Sequence, residues 1–106
     1  MIRRFDFGHP YDTGAVTMQL PVCQDAMPRL TISRNGSSVT FRTMLSEDDQ
    51  IFGLGESVRG INKRGHLYRA WNSDDFSHTE NKASLYASHN LLLFSGKDGV
   101  WGAYFD

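Results

Sequence analysis

The segment from Asn90 to Phe105 constrains the fold more than any other. Asn90-Leu91-Leu92-Leu93-Phe94 is a continuous apolar run, as expected of a strand buried on both faces. Ser95-Gly96-Lys97-Asp98-Gly99 then reads as a turn, and Val100 to Phe105 follows as a second strand rich in aromatics. This pairing predicts an antiparallel hairpin with Leu91, Leu93, Val100 and Tyr104 in the densest apolar contacts. A second hairpin is written earlier. Leu30 to Ser33 and Ser38 to Met44 alternate apolar and polar residues around Arg34-Asn35-Gly36-Ser37, with Val39 and Phe41 on one face. Asn-Gly suits a type I′ turn, which requires positive φ at both central residues. Ala15 to Val22 reads as an edge strand stopped by Pro21, and Leu67 to Trp71 as a short strand. Ser46 to Gln50 is an acidic turn or a helical start. No segment carries an apolar stripe at the helical period. The fold class is therefore all-β, built of antiparallel hairpins.

A chain of 106 residues is one domain at most. Seven Phe, four Tyr and two Trp provide enough large side chains for a core. The net charge of −1, with no basic stripe, argues against nucleic acid as a partner. The longest apolar run is far below the roughly 20 residues of a membrane span, so no membrane association is expected. Met1 to Asp6 has two arginines but no apolar run after them, so it does not read as a secretory signal. Cys23 is the sole cysteine and excludes an intramolecular disulfide. The expected location is the cytoplasm.

Several residue groups invite a chemical reading. Gly53-Leu54-Gly55 lacks the third glycine of a dinucleotide fingerprint, since Val58 occupies that position, and no helix follows. Both glycines instead suit backbone shapes closed to other residues, at a bend before a strand. His66, His78, Glu80 and His89 match no zinc spacing, so neither a metal nor any other cofactor is expected. Nothing in the sequence brings Cys23 together with a His and an Asp as a cysteine nucleophile, and a small, partly buried residue is the simpler reading. Asp48-Asp49 falls in the charged turn. Asp74-Asp75 is different, because it adjoins Trp71, Asn72 and Ser73 in a long polar stretch that still holds Tyr68 and Phe76. A long loop of this kind is usually anchored and usually functional. Sugar sites combine a flat aromatic with short polar side chains that fix hydroxyl groups, and Trp-Asn-Ser-Asp-Asp offers both. From composition alone, a polar loop pinned by its own Asx turns competes with that reading.

Phe52-Gly53-Leu54-Gly55-Glu56, Asn62-Lys63-Arg64-Gly65, Trp71-Asn72-Ser73-Asp74-Asp75 and Leu85-Tyr86 occur in this order. Together they resemble the N-terminal β-sandwich of glycoside hydrolase family 31, the α-glucosidase family. The resemblance covers Gln50 to Asp106. It implies a galactose-mutarotase-like sandwich followed by a (β/α)8 barrel that carries the chemistry. It also implies that one sandwich loop reaches the sugar pocket through an Asn-x-Asp motif. Here Asn72-Ser73-Asp74 is that motif and Asp74 is the contacting residue, with Ser73 where other members place arginine or threonine. The family's nucleophile lies in a Trp-x-Asp-Met-Asn-like strand end on the barrel, and no such motif occurs here. Retaining glycoside hydrolysis needs two carboxyl groups about 5 Å apart across the scissile bond.

The expectation is thus that residues 1–106 form the N-terminal sandwich of a family 31 glycosidase, incomplete and ending before its barrel. It would hold no catalytic residue and would be inactive alone. Its substrate-binding residues would be Trp71, Asn72, Ser73 and Asp74, and its partners an α-glucoside and the missing barrel. A stand-alone carbohydrate-binding module, using Trp71, Asp74 and Asp75, is the alternative. A structural domain without ligand is the other.

Overall fold

The computed structural model describes residues 1–8, 14, 19–25, 29–74 and 76–105. All its regular elements are strands: β1 (Thr31–Asn35), β2 (Ser38–Arg42), β3 (Gln50–Gly55), β4 (Ser88–Gly96) and β5 (Gly99–Tyr104). They form two antiparallel sheets, ordered β1-β2 and β3-β4-β5. The chain divides into two compact units, Met1–Met44 and Leu45–Asp106. The fold class is all-β, as the turn-flanked alternation requires.

In the first unit, β1 and β2 pair from Thr31↔Arg42 to Asn35↔Ser38. The Phe7 ring meets Phe41 edge-on, with centroids 5.5 Å apart. The hairpin is where alternation places it, but its turn differs from the expected one. Gly36 takes φ +58° while Asn35 and Ser37 do not adopt positive φ. Gly36 and Ser37 are thus the two central residues, and positive φ at the first alone is the II′ pattern. Glycine takes that φ without the Cβ clash that asparagine would meet, so the turn centres one residue later. The expected edge strand over Ala15 to Val22 falls mostly outside the described residues. Its end, Val22, forms an isolated parallel bridge with Arg4.

The second unit is built on β4. Its pairing with β5 runs from Leu91↔Tyr104 to Gly96↔Gly99, and β3 pairs on its other side. Directly opposed residues share a face. One face carries Ile51, Leu92, Phe94, Trp101 and Ala103, and the other carries Phe52, Leu91, Leu93, Val100 and Tyr104. The core lies on the first face. Phe94 is buried, as is Leu85 from the preceding loop. The Trp101 ring stacks on Phe94 at 4.1 Å and 7°.

This corrects the expected core. The hairpin is right, but the chosen face is wrong. Leu93 is 40% exposed, Val100 72% and Tyr104 67%, while Leu91 is half-buried. In a run of four apolar residues both faces look alike, so the sequence gives no alternation to choose between them. The expected burial of this strand on both faces is likewise not found. Leu67 to Trp71 is not a strand either. It makes only scattered backbone bonds, such as Arg69 N–H to Ala83 O at 2.9 Å.

Gly53-Leu54-Gly55 does not precede a strand but ends one. The β3–β4 register shifts between Gly53 and Gly55, and all three residues take positive φ: +118°, +67° and +80°. Leu54 alone is set against His89, Asn90 and Leu91 before pairing resumes at Gly55↔Ser88, so the ladder is locally disrupted as at a bulge. The backbone leaves β3 there and enters the long connection to β4.

Candidate functional site

Among the described residues between β3 and β4 there is no helix or strand. Their order comes instead from side chains that bond to backbone. Asn62 Oδ1 accepts from Ile51 N at 3.1 Å and from Arg64 N at 3.2 Å. Lys63 N–H donates to Ile51 O at 2.7 Å, so the start of the loop is stitched to β3. Lys63 is buried, and its Nζ donates to Gly60 O at 2.6 Å. A buried ammonium needs such partners to offset its desolvation. Arg64 Nη1 donates to three carbonyls of the acidic turn: Ser46 O at 2.5 Å, Glu47 O at 2.9 Å and Asp49 O at 2.8 Å. The turn is also closed by Ser46 N–H to Asp49 Oδ2 at 2.7 Å.

Arg59 works further along. Its Nε donates to Glu80 O at 2.5 Å and its Nη1 to Leu67 O at 3.0 Å. Both Arg59 and Lys63 sit over the Tyr68 ring, at 5.6 Å and 5.4 Å from its centroid. Beyond Tyr68, the chain runs beside residues 83–88. Ser73 N–H donates to Leu85 O at 2.9 Å, and Ser88 Oγ donates to Asn72 Oδ1 at 2.7 Å. Ser73 is half-buried. Trp71 is 65% exposed, and its N–H bonds to Arg69 O at 2.9 Å.

Asp74 follows directly on this pinned run. It is exposed, and among the described residues nothing bonds to its carboxylate. Asp75 lies outside the described residues. Past it, Thr79 Oγ1 bonds to Asn81, and Lys82 N–H donates to Thr79 O at 3.1 Å, forming a small turn around Glu80, whose carbonyl Arg59 holds. The structure thus gathers Trp71, Asn72, Ser73 and Asp74 in one short stretch with two kinds of side chain. Asn72 is already engaged, whereas Trp71 and Asp74 face solvent. The anchoring roles of Arg59, Lys63 and Arg64 were not expected from the sequence, although Lys63 and Arg64 lie in one of the motifs that carry the resemblance. Their signal was slight: basic residues between glycines, in a loop too long to be ordered by its own backbone.

The other groups singled out in the sequence lie apart. His66 packs edge-on to Tyr68, His78 to Tyr86, and His89 Nδ1 accepts from Leu91 N at 3.2 Å. Cys23 is half-buried, with Sγ 3.7 Å from Asp25 Oδ2.

Comparison with known proteins agrees with this architecture. The chain is 31% identical over 64 residues to Alpha-glucosidase 2 of Bacillus thermoamyloliquefaciens. That stretch covers 59% of this chain and 8% of the relative, so the chain spans a small part of that protein's length. A family model, the glycosyl hydrolase 31 N-terminal galactose mutarotase-like domain, matches residues 11–106. The match reaches well upstream of Gln50, where the motif-level resemblance began. The hairpin of β1 and β2 therefore falls inside it, and the chain belongs to the family of glycosyl hydrolase 31 N-terminal galactose mutarotase-like domains.

Proposed function

We propose that residues 1–106 form the N-terminal sandwich of an α-glucosidase-type glycosidase and that the Trp71–Asp74 stretch contributes to its substrate pocket. One observation carries this reading: Asp74 is exposed with an unengaged carboxylate among the described residues, immediately after a run whose backbone is pinned. A carboxylate with free lone pairs on an ordered support can accept hydrogen bonds from sugar hydroxyls. Trp71 offers a flat exposed ring for the C–H face of a sugar. Ser73 and Asn72 hold the turn, with Ser73 Oγ the further candidate for a hydroxyl contact. The name of the relative, Alpha-glucosidase 2, supports an α-glucoside as substrate.

The chemistry belongs to a barrel that follows the sandwich in the complete enzyme. This chain lacks the aspartate motif of that barrel, so alone it binds no cofactor and hydrolyses nothing. Its near-neutral charge speaks against nucleic acid and membrane surfaces as partners, and its single cysteine suits the reducing cytoplasm.

In the protein expressed from its complete gene, Asp74→Ala should lower kcat/KM for an α-glucoside by about 10- to 100-fold, the loss expected for one hydrogen bond to a charged group. Its unfolding free energy should move by less than about 0.5 kcal/mol, as for other exposed positions. Unchanged kinetics would remove Asp74 from the substrate contacts. Hydrolysis by the purified 106-residue chain would overturn the division of labour. Binding of free oligosaccharide by that chain, without any enzyme to complete, would favour a carbohydrate-binding module instead.

A further inference from the structure

Arg59 has an unusual combination of features. Its backbone sits in the left-handed region at φ +69°, a conformation that costs a non-glycine residue about 1 kcal/mol or more. Among the described residues its guanidinium meets no carboxylate. It is spent on two neutral carbonyls 13 positions apart, Leu67 O and Glu80 O, and on the Tyr68 face. Those carbonyls lie on either side of the Trp71–Asp74 stretch. The Tyr68 hydroxyl is buried without a hydrogen bond among the described residues, so the cations over its ring, not its hydroxyl, fix this side chain.

We propose that Arg59 is the positioning residue of the sugar-contacting loop. Its guanidinium clamps the two stems of the 67–80 segment and thereby sets where Asp74 stands. The inference rests on the sugar-binding reading of Asp74. The physical logic is that of loop closure. A 14-residue segment without regular structure loses its fixed end-to-end distance unless something ties its stems. The planar fork of arginine donates in two fixed directions at once, whereas the ammonium of lysine is a point donor. The backbone bonds from Arg69 N–H to Ala83 O and from Ser73 N–H to Leu85 O hold the first stem against residues 83–85, a few positions past Glu80. Among the described side chains, Arg59 is the one that bridges Leu67 O and Glu80 O themselves, a tie added to those backbone bonds.

The test uses the protein from its complete gene and five variants, one of them double, assayed on an α-glucoside. Arg59→Lys keeps the charge but loses the fork, and should lower kcat/KM about tenfold, the scale of one or two lost charge-assisted hydrogen bonds. In an Asp74→Ala background the same change should have less than about a twofold further effect, because its action runs through Asp74. Gly36→Ala destabilises the other unit and should leave kcat/KM unchanged below the unfolding temperature. Tyr68→Phe should be silent. Hydrogen exchange at the amides of Arg69 and Ser73 should quicken in Arg59→Lys but not in Tyr68→Phe, which reads the clamp without reference to catalysis. An Arg59→Lys effect that persists in full without Asp74, or unchanged exchange, overturns the positioning role while leaving Asp74 as a contact. A silent Asp74→Ala overturns both.

Discussion

Replacing Gly53 with alanine should destabilise the three-stranded sheet by about 2–5 kcal/mol, from left-handed strain and overpacking together. The backbone at Gly53 takes φ +118°, and a Cβ there would lie 2.1 Å from the carbonyl oxygen of Leu91 and 3.1 Å from its carbon. Neither neighbour is a flexible side-chain tip. Both belong to the central strand β4, so relief requires β3 to move away from its partner. Gly36→Ala is the matched comparison. It also has positive φ, at +58°, but a Cβ there would meet nothing within 4 Å. Its cost should be only about 1–2 kcal/mol, the left-handed penalty alone. Denaturant titration of the two variants separates steric overlap from backbone strain. In a unit of this size each kcal/mol shifts the midpoint of thermal unfolding by about 4–8 °C. Equal losses in the two variants would mean that the close approach of β3 to β4 at the bulge is absent in solution.

Arg64→Ala should cost about 2–3 kcal/mol, the range for hydrogen bonds made by a charged donor to partly buried acceptors. Three carbonyls of the Ser46–Asp49 turn converge on one nitrogen, Nη1, and truncation leaves all of them to water. The turn leads directly into β3, so its loosening frays the first strand of the sheet. Because a single nitrogen serves all three acceptors, a point donor can replace part of the function. Arg64→Lys should therefore recover part of the stability, whereas the fork of Arg59 should not be replaceable in this way. Urea unfolding of Arg64→Ala and Arg64→Lys checks both statements, and a lysine variant no better than alanine would show that reach, not charge, decides the site.

Both hairpins were legible from local chemistry, because glycine turns and alternation act over a few residues. The all-β class followed from the missing helical period. Errors arose where the deciding force was not local. The apolar run Leu91-Leu92-Leu93-Phe94 predicts a strand but not its inward face, which is the face where Trp101 stacks on Phe94. The type I′ turn failed because Gly36, rather than Asn35, took the first positive φ. The bulge at Gly53–Gly55 was visible as glycine shape but was displaced, since pairing to β4 is a long-range choice. At the candidate site, the Trp71–Asp74 stretch stood out by composition. Its scaffold did not, because Arg59, Lys63 and Arg64 act on backbone carbonyls, and nothing in the sequence marks which carbonyl a basic side chain will reach.

The stack of Trp101 on Phe94 has a practical consequence. The chain has two indoles, and they occupy opposite environments. Trp101 is packed flat against a buried ring, while Trp71 stands 65% exposed beside Asp74. Emission from this protein is therefore the sum of two populations that a soluble quencher can tell apart. Acrylamide or iodide reaches Trp71 first. Trp101 keeps its shielded, shorter-wavelength emission until the sheet opens. A ligand seated on the loop would change the accessible component alone, and denaturant would change the shielded one. In residues 1–106, the exposure of the loop and the opening of the sheet can thus be followed by separate optical signals, with no label attached.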